Sequence, residues 1–121
     1  MISVTIPIWL KSSSNLREHW SARMRRNKSH KMLAQAELRS HFIDRPPSKK
    51  DRFIVTLTRI APRMLDDDNL AAAFKGVRDG VAKAMGIDDR QSPLLKWVYE
   101  QEKGEPKYYA IRIEVRAKRF Y

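Results

Sequence analysis

Ile2, Val4, Ile6 and Ile8 alternate with Ser3, Thr5 and Pro7. A two-residue apolar period marks a strand with one buried face, and Pro7, which has no backbone N–H, places it at a sheet edge or ends it early. Lys11 to Asn15 is a polar turn with good helix-capping residues. A long helical region is predicted from about Leu16 or Ser21 to Ile43. Leu16, Trp20 and Met24 lie four apart, as do Ala34, Leu38 and Phe42, and residues four apart share a helix face. Asp44 to Lys50, with Pro46-Pro47, is a connector. Phe53, Val55 and Leu57 start a second strand that runs to about Ala61. Leu70, Ala73, Phe74, Val77, Val81, Ala84 and Met85 then follow the helical template. Asp68 or Asn69 can cap this second helix and Gly86 can end it. Trp97 and Tyr99 belong to a third strand, Lys103-Gly104 to a turn, and Tyr109, Ile111, Ile113 and Val115 to a fourth, amphipathic strand. The order is β-α-β-α-β-β. It predicts an α+β fold in which one domain over residues 1–121 forms a mixed sheet of about four strands with two helices packed on it.

Composition narrows the class. A chain of 121 residues with 42% hydrophobic content fits one domain with a packed core. It has no cysteine, which excludes disulfides and thiolate metal sites and gives no argument for secretion. No apolar run approaches the ~20 residues needed to span a bilayer. The N-terminus has no basic start before its apolar stretch, so it is not read as a signal peptide, and the expected location is cytoplasmic. Lys plus Arg number 25 against 14 Asp plus Glu, a net charge of +11. The excess is uneven: residues 1–50 hold 11 basic and 3 acidic groups, residues 51–121 hold 14 and 11. Such a basic arm is the footprint of a polyanion binder, though ribosome-associated and membrane-surface proteins share it.

The acids also cluster. Asp66, Asp67 and Asp68 sit where a strand region ends and a helix starts. In an extended segment residues i and i+2 face the same way, so Asp66 and Asp68 project together. Converging carboxylates suit a hard divalent cation such as Mg²⁺. Acids before a helix also cap free N–H groups and suit the helix dipole, so capping is the competing reading. Asp88 and Asp89 follow the second helix. Lys75 and Asp79 lie four apart on it, either as a surface ion pair or with Lys75 directed at a phosphate.

The run Asp66-Asp67-Asp68-Asn69-Leu70, the amphipathic helix with Lys75 and Asp79, and Gly86-Ile87-Asp88-Asp89-Arg90-Gln91 together resemble the RusA-type Holliday-junction resolvases. Ser14-Asn15 with His19-Trp20 is similar to that family's early serine-asparagine and aromatic segment. The resemblance spans nearly the whole chain. It implies a homodimeric, Mg²⁺-dependent endodeoxyribonuclease, often phage-encoded, that cuts four-way DNA junctions by paired, symmetric nicks in recombination and repair. Asp66, Asp68 and Asp89 take the place of the family's metal-binding catalytic acids, with Mn²⁺ a possible substitute ion. Lys75 takes the place of its lysine, but it follows Asp68 by seven residues where the family spacing is four, and position 72 is alanine.

Arg23, Arg25, Arg26, Lys28 and Lys31 are expected to track phosphates on the junction arms, contacts that confer affinity without sequence information. Trp9, Trp20 and Trp97 are read as core or interface residues, Tyr108 and Tyr109 as strand residues, and His19, His30 and His41 as surface residues rather than metal ligands. A second helix of about 17 residues would be roughly 25 Å long and would hold Asp68 and Asp89 apart. The resulting expectation is a composite site, with Asp89 supplied by a partner subunit. In that arrangement the stripe Ala72, Gly76 and Gly80 lets two second helices pack across a two-fold axis. The competing functions are a non-catalytic basic DNA-binding protein with the same fold, and an RNA-binding or ribosome-associated protein.

Overall fold

The structure is a computed structural model and describes residues 1–11, 20–44, 47, 51–87 and 95–118. The element order is β1 (Ile2–Ile6), α1 (Trp20–Phe42), β2 (Phe53–Ala61), α2 (Asp67–Ala73), α3 (Lys75–Ala84), β3 (Leu95–Lys103) and β4 (Ala110–Ala117). The four strands form one sheet in the order β1-β4-β2-β3. β4 runs antiparallel to both β1 and β2, whereas β2 and β3 are parallel. Parallel neighbours need a long crossover, and α2 with α3 lies on it. The expected α+β architecture with a mixed four-stranded sheet is present. β1 is an edge strand and ends at Ile6, which accounts for Pro7 immediately after it.

Strand registry aligns the apolar residues on one sheet face. Val55 pairs with Val115 and stands beside Trp97, and Leu57 pairs with Ile113 and stands beside Tyr99. These residues join Leu38, Phe42, Phe74, Val77 and Val81 in one core beneath the helices. α1 contributes only its later part to that core, through His30, Ala34, Leu38 and Phe42, spaced four apart. None of residues 20–29 is buried, so the arginine-rich start of α1 stands clear of the core.

Two expectations need correction here. The second helix is broken at Phe74, with φ −83° and ψ 3°. Its N–H bonds back three residues to the Ala71 carbonyl at 3.2 Å, the tight geometry of a helix end. Phe74 is fully buried against the sheet, tilted to Tyr99 with ring centroids 6.0 Å apart. The glycine stripe is used inside the chain rather than across a two-fold axis. A Cβ on Gly76 would collide with the Asn27 carbonyl and lie 2.8 Å from the Asn27 Cα, and one on Gly80 would collide with the Lys31 carbonyl. α3 therefore lies backbone-close on α1, and those glycines present no surface to a second subunit.

Candidate functional site

Two core-face residues at the end of the sheet fix the loop that carries the acids. Arg59 on β2 and Gln101 on β3 are neighbours in register. Arg59 is buried, and its guanidinium donates to the carbonyls of Leu10 (2.8 Å) and Arg63. Burial pushes its pKa below the ordinary guanidinium value, with Tyr109 acting in the opposite direction. Gln101 accepts from the Leu65 N–H (2.8 Å) and donates to the Leu65 carbonyl (2.7 Å). The chain is held on both sides of Met64, just before Asp66 at the N-cap position of α2.

At that entrance Asp66 is the residue before α2, with extended φ and ψ, and its side chain makes no capping hydrogen bond. Its carboxylate instead accepts from the Asn69 amide at 2.9 Å. Asp66, Asp67 and Asp68 are all exposed, but Asp67 and Asp68 are already helical, so the extended segment expected to point Asp66 and Asp68 the same way is not present. Asp68, Ala71 and Ala72 are spaced three and four apart on α2 and so share one face. Ala71 and Ala72 line a cleft of about 440 Å³. The carboxylate end of α2 is thus one helical turn from that cleft.

Five cations line the cleft: Lys11 after β1, Arg23 and Arg26 on α1, and Lys75 and Arg78 on α3. Asp79 lines it too, with Asn27 and Tyr99. The Arg78 guanidinium donates to the Tyr99 hydroxyl at 3.0 Å and lies 4.9 Å over the Trp97 ring. This aromatic support holds it at the cleft wall. Lys75, out of step with the RusA-type spacing, opens α3 just after the break at Phe74 and faces this cleft.

The five predicted phosphate-tracking residues do not form one row. Arg23 and Arg26 line the cleft, Arg25 and Lys28 line a separate groove with Trp20 and Met24, and Lys31 packs its backbone against Gly80. Positions 23 and 26 differ from 25 and 28 in direction because a helix turns 100° per residue. Lys11 and Arg78 were missed by sequence reasoning. Arg78 had a signal, lying three residues after Lys75 and hence on its face; Lys11 had none, because the fold alone brings it there.

Other expected site residues fall elsewhere. Asp89 and His19 lie outside the described residues. Among the described residues no group of three or more histidine or acidic side chains is placed to hold a metal ion. His30 is buried, only 6% exposed, not on the surface, and its Nδ1 has no hydrogen-bond partner. It sits where α1 crosses α3 at Gly76, a contact that pattern reading could not see. Burial lowers its pKa, and Arg26 lowers it further. Tyr108 and Tyr109 precede β4 rather than joining it, and Tyr109 stacks on Trp9 with centroids 4.3 Å apart. Trp9 and Trp20 are exposed, so the core half of their expected core-or-interface role does not hold.

Fold and site together define a small mixed α+β domain with a cation-lined cleft beside an acidic helix start. No protein-family model and no solved structure matches the chain. It is 38% identical over 106 residues to an uncharacterized protein of Xylella fastidiosa (strain Temecula1), a match covering 79% of this chain and 67% of that protein. The chain belongs to the same family as that protein.

Proposed function

We propose that this protein is a metal-dependent endodeoxyribonuclease that binds branched DNA and cuts four-way junctions by paired nicks. The observation that carries the reading is the cleft itself, where Lys11, Arg23, Arg26, Lys75 and Arg78 converge one helical turn from Asp68. Five cations against one acid, Asp79, form a seat for a phosphate chain rather than for a neutral ligand. Membrane insertion gains no support, since no described helix is long and apolar enough to cross a bilayer.

In this reading the cleft cations fix the scissile strand, and Lys75 offsets charge that develops on the phosphate. Asp66 and Asp68 are exposed, hard oxygen donors on one short segment, the donor type that Mg²⁺ or Mn²⁺ selects. They would hold the ion, with Asp89 as the further acid. When bound, such an ion supplies an activated water and charge neutralisation at the phosphate. The hydrogen bonds of Arg59 to Arg63 and of Gln101 to Leu65 restrain the loop that leads into the acids. Paired nicks require two sites related by two-fold symmetry, so a homodimer is part of the proposal.

A second reading is DNA binding without cleavage, for which the cation-lined cleft is sufficient by itself. One assay separates the two. A synthetic four-way junction is incubated with and without Mg²⁺, beside Asp68→Asn. Metal-dependent nicking that vanishes in the variant while binding persists supports the nuclease. Binding without nicking by the unaltered protein leaves the second reading, and preference for RNA overturns both.

A further inference from the structure

The start of α1 carries a second surface on the side away from the cleft. Trp20 is 66% exposed and Met24, one turn later, is 60% exposed. Together with Ser21, Arg25 and Lys28 they line a shallow groove of about 300 Å³. A largely exposed tryptophan and methionine on one helix face, beside two cations, form an apolar platform with a charged rim. On the same helix, Arg23 and Arg26 turn into the cation-lined cleft.

We propose that this groove binds an unstacked nucleobase of a single-stranded DNA segment, with Trp20 as the stacking platform and Arg25 and Lys28 taking the flanking phosphates. The proposal rests on the nucleic-acid reading of the cleft and adds a role for unpaired bases. Every base offers a flat π-face to an aromatic ring, and a strand brings its own negative charge to the rim. A second copy of this chain is the poorer occupant. A stable dimer needs about 800 Å² from each partner, whereas the groove has only two apolar side chains in its lining. A copy bearing a net charge of +11 would also meet Arg25 and Lys28 with like charge. A strand that leaves the cleft and crosses α1 reaches Trp20 within one helical turn of Arg23. Such a path exists where paired DNA opens into single strands.

The test uses the full-length protein in EDTA, so cleavage plays no part. Fluorescence anisotropy compares an oligo(dT), the same oligonucleotide with abasic sites, and a blunt duplex, at fixed salt. Trp20→Ala should weaken oligo(dT) binding roughly tenfold while leaving the salt dependence and duplex affinity unchanged. Trp20→Phe should restore most of the loss, and the abasic strand should bind both proteins alike. An equal loss on all three ligands, or no loss on any, overturns the stacking role. So does an unchanged oligo(dT) affinity accompanied by a shift from dimer to monomer in sedimentation. Loss of metal-dependent nicking is scored separately on the junction substrate. The nuclease reading can therefore fail while base stacking stands, and the reverse.

Discussion

The side-chain amide of Gln101 closes a two-way hydrogen bond on the backbone of Leu65, one residue before Asp66. It satisfies an N–H and a carbonyl that β-pairing does not reach, and it ties the acidic start of α2 to the end of β3. Replacing Gln101 with Leu leaves both backbone groups part-buried without that partner. A loss of about 1–3 kcal/mol in unfolding free energy is expected, read from the urea midpoint. Metal-dependent nicking should fall while DNA affinity stays near that of the unaltered protein, because the cleft cations hang on other elements.

Glycines in α3 should resist replacement. Alanine normally stabilises a helix by about 1 kcal/mol over glycine. At Gly76 and Gly80 the added methyl meets α1 backbone, which has no rotamer to yield. Gly76→Ala and Gly80→Ala should therefore destabilise by about 2 kcal/mol or more, measured by chemical denaturation. Gly86→Ala meets no atom within 4 Å, but its backbone has φ +70°. A smaller cost of about 1 kcal/mol is expected there.

Charge removal in the cleft should weaken DNA binding without altering sequence preference. Arg23→Ala and Lys75→Ala each remove one cation from the lining. Each should lower affinity on every DNA tested and reduce the slope of log K against log salt by about one. Arg78→Ala should do the same and also uncover the Trp97 ring, giving a change in tryptophan emission. A slope unchanged in all three variants would place the phosphates elsewhere.

Stability should decline below neutral pH through His30. Its folded pKa is lowered from 6.5 by burial and by Arg26. Well above pH 6.5 neither folded nor unfolded chain carries a proton there, so the group costs nothing. As pH falls through 6.5 the unfolded state binds a proton that the folded state refuses. Stability is then lost until the folded pKa is reached, by at most about 1.4 kcal/mol per pH unit. The urea midpoint, followed from pH 8 to 5, should drop for the native sequence and drop less for His30→Gln.

Most local elements were readable from the order of residues alone, though not the break at Phe74 that divides the second helix. Two-residue alternation in Ile2 to Ile6 and in Ile111 to Val115, and four-residue spacing in Ala34, Leu38 and Phe42, each describe a segment that must bury one face. The acidic run and the basic arm were equally visible, because charge is a property of composition. What the order of residues did not contain is which faces meet. Gly76 and Gly80 read as a contact stripe, but only the packed chain shows that α1 fills it. The buried state of His30 follows from that same crossing. The cation cleft is also a tertiary product: Lys11, Arg23 and Arg78 are far apart along the chain and converge because β1, α1 and α3 are packed together. Local pattern is set by short-range sterics and amphipathic period, whereas a site built from several elements depends on long-range packing that no single segment encodes.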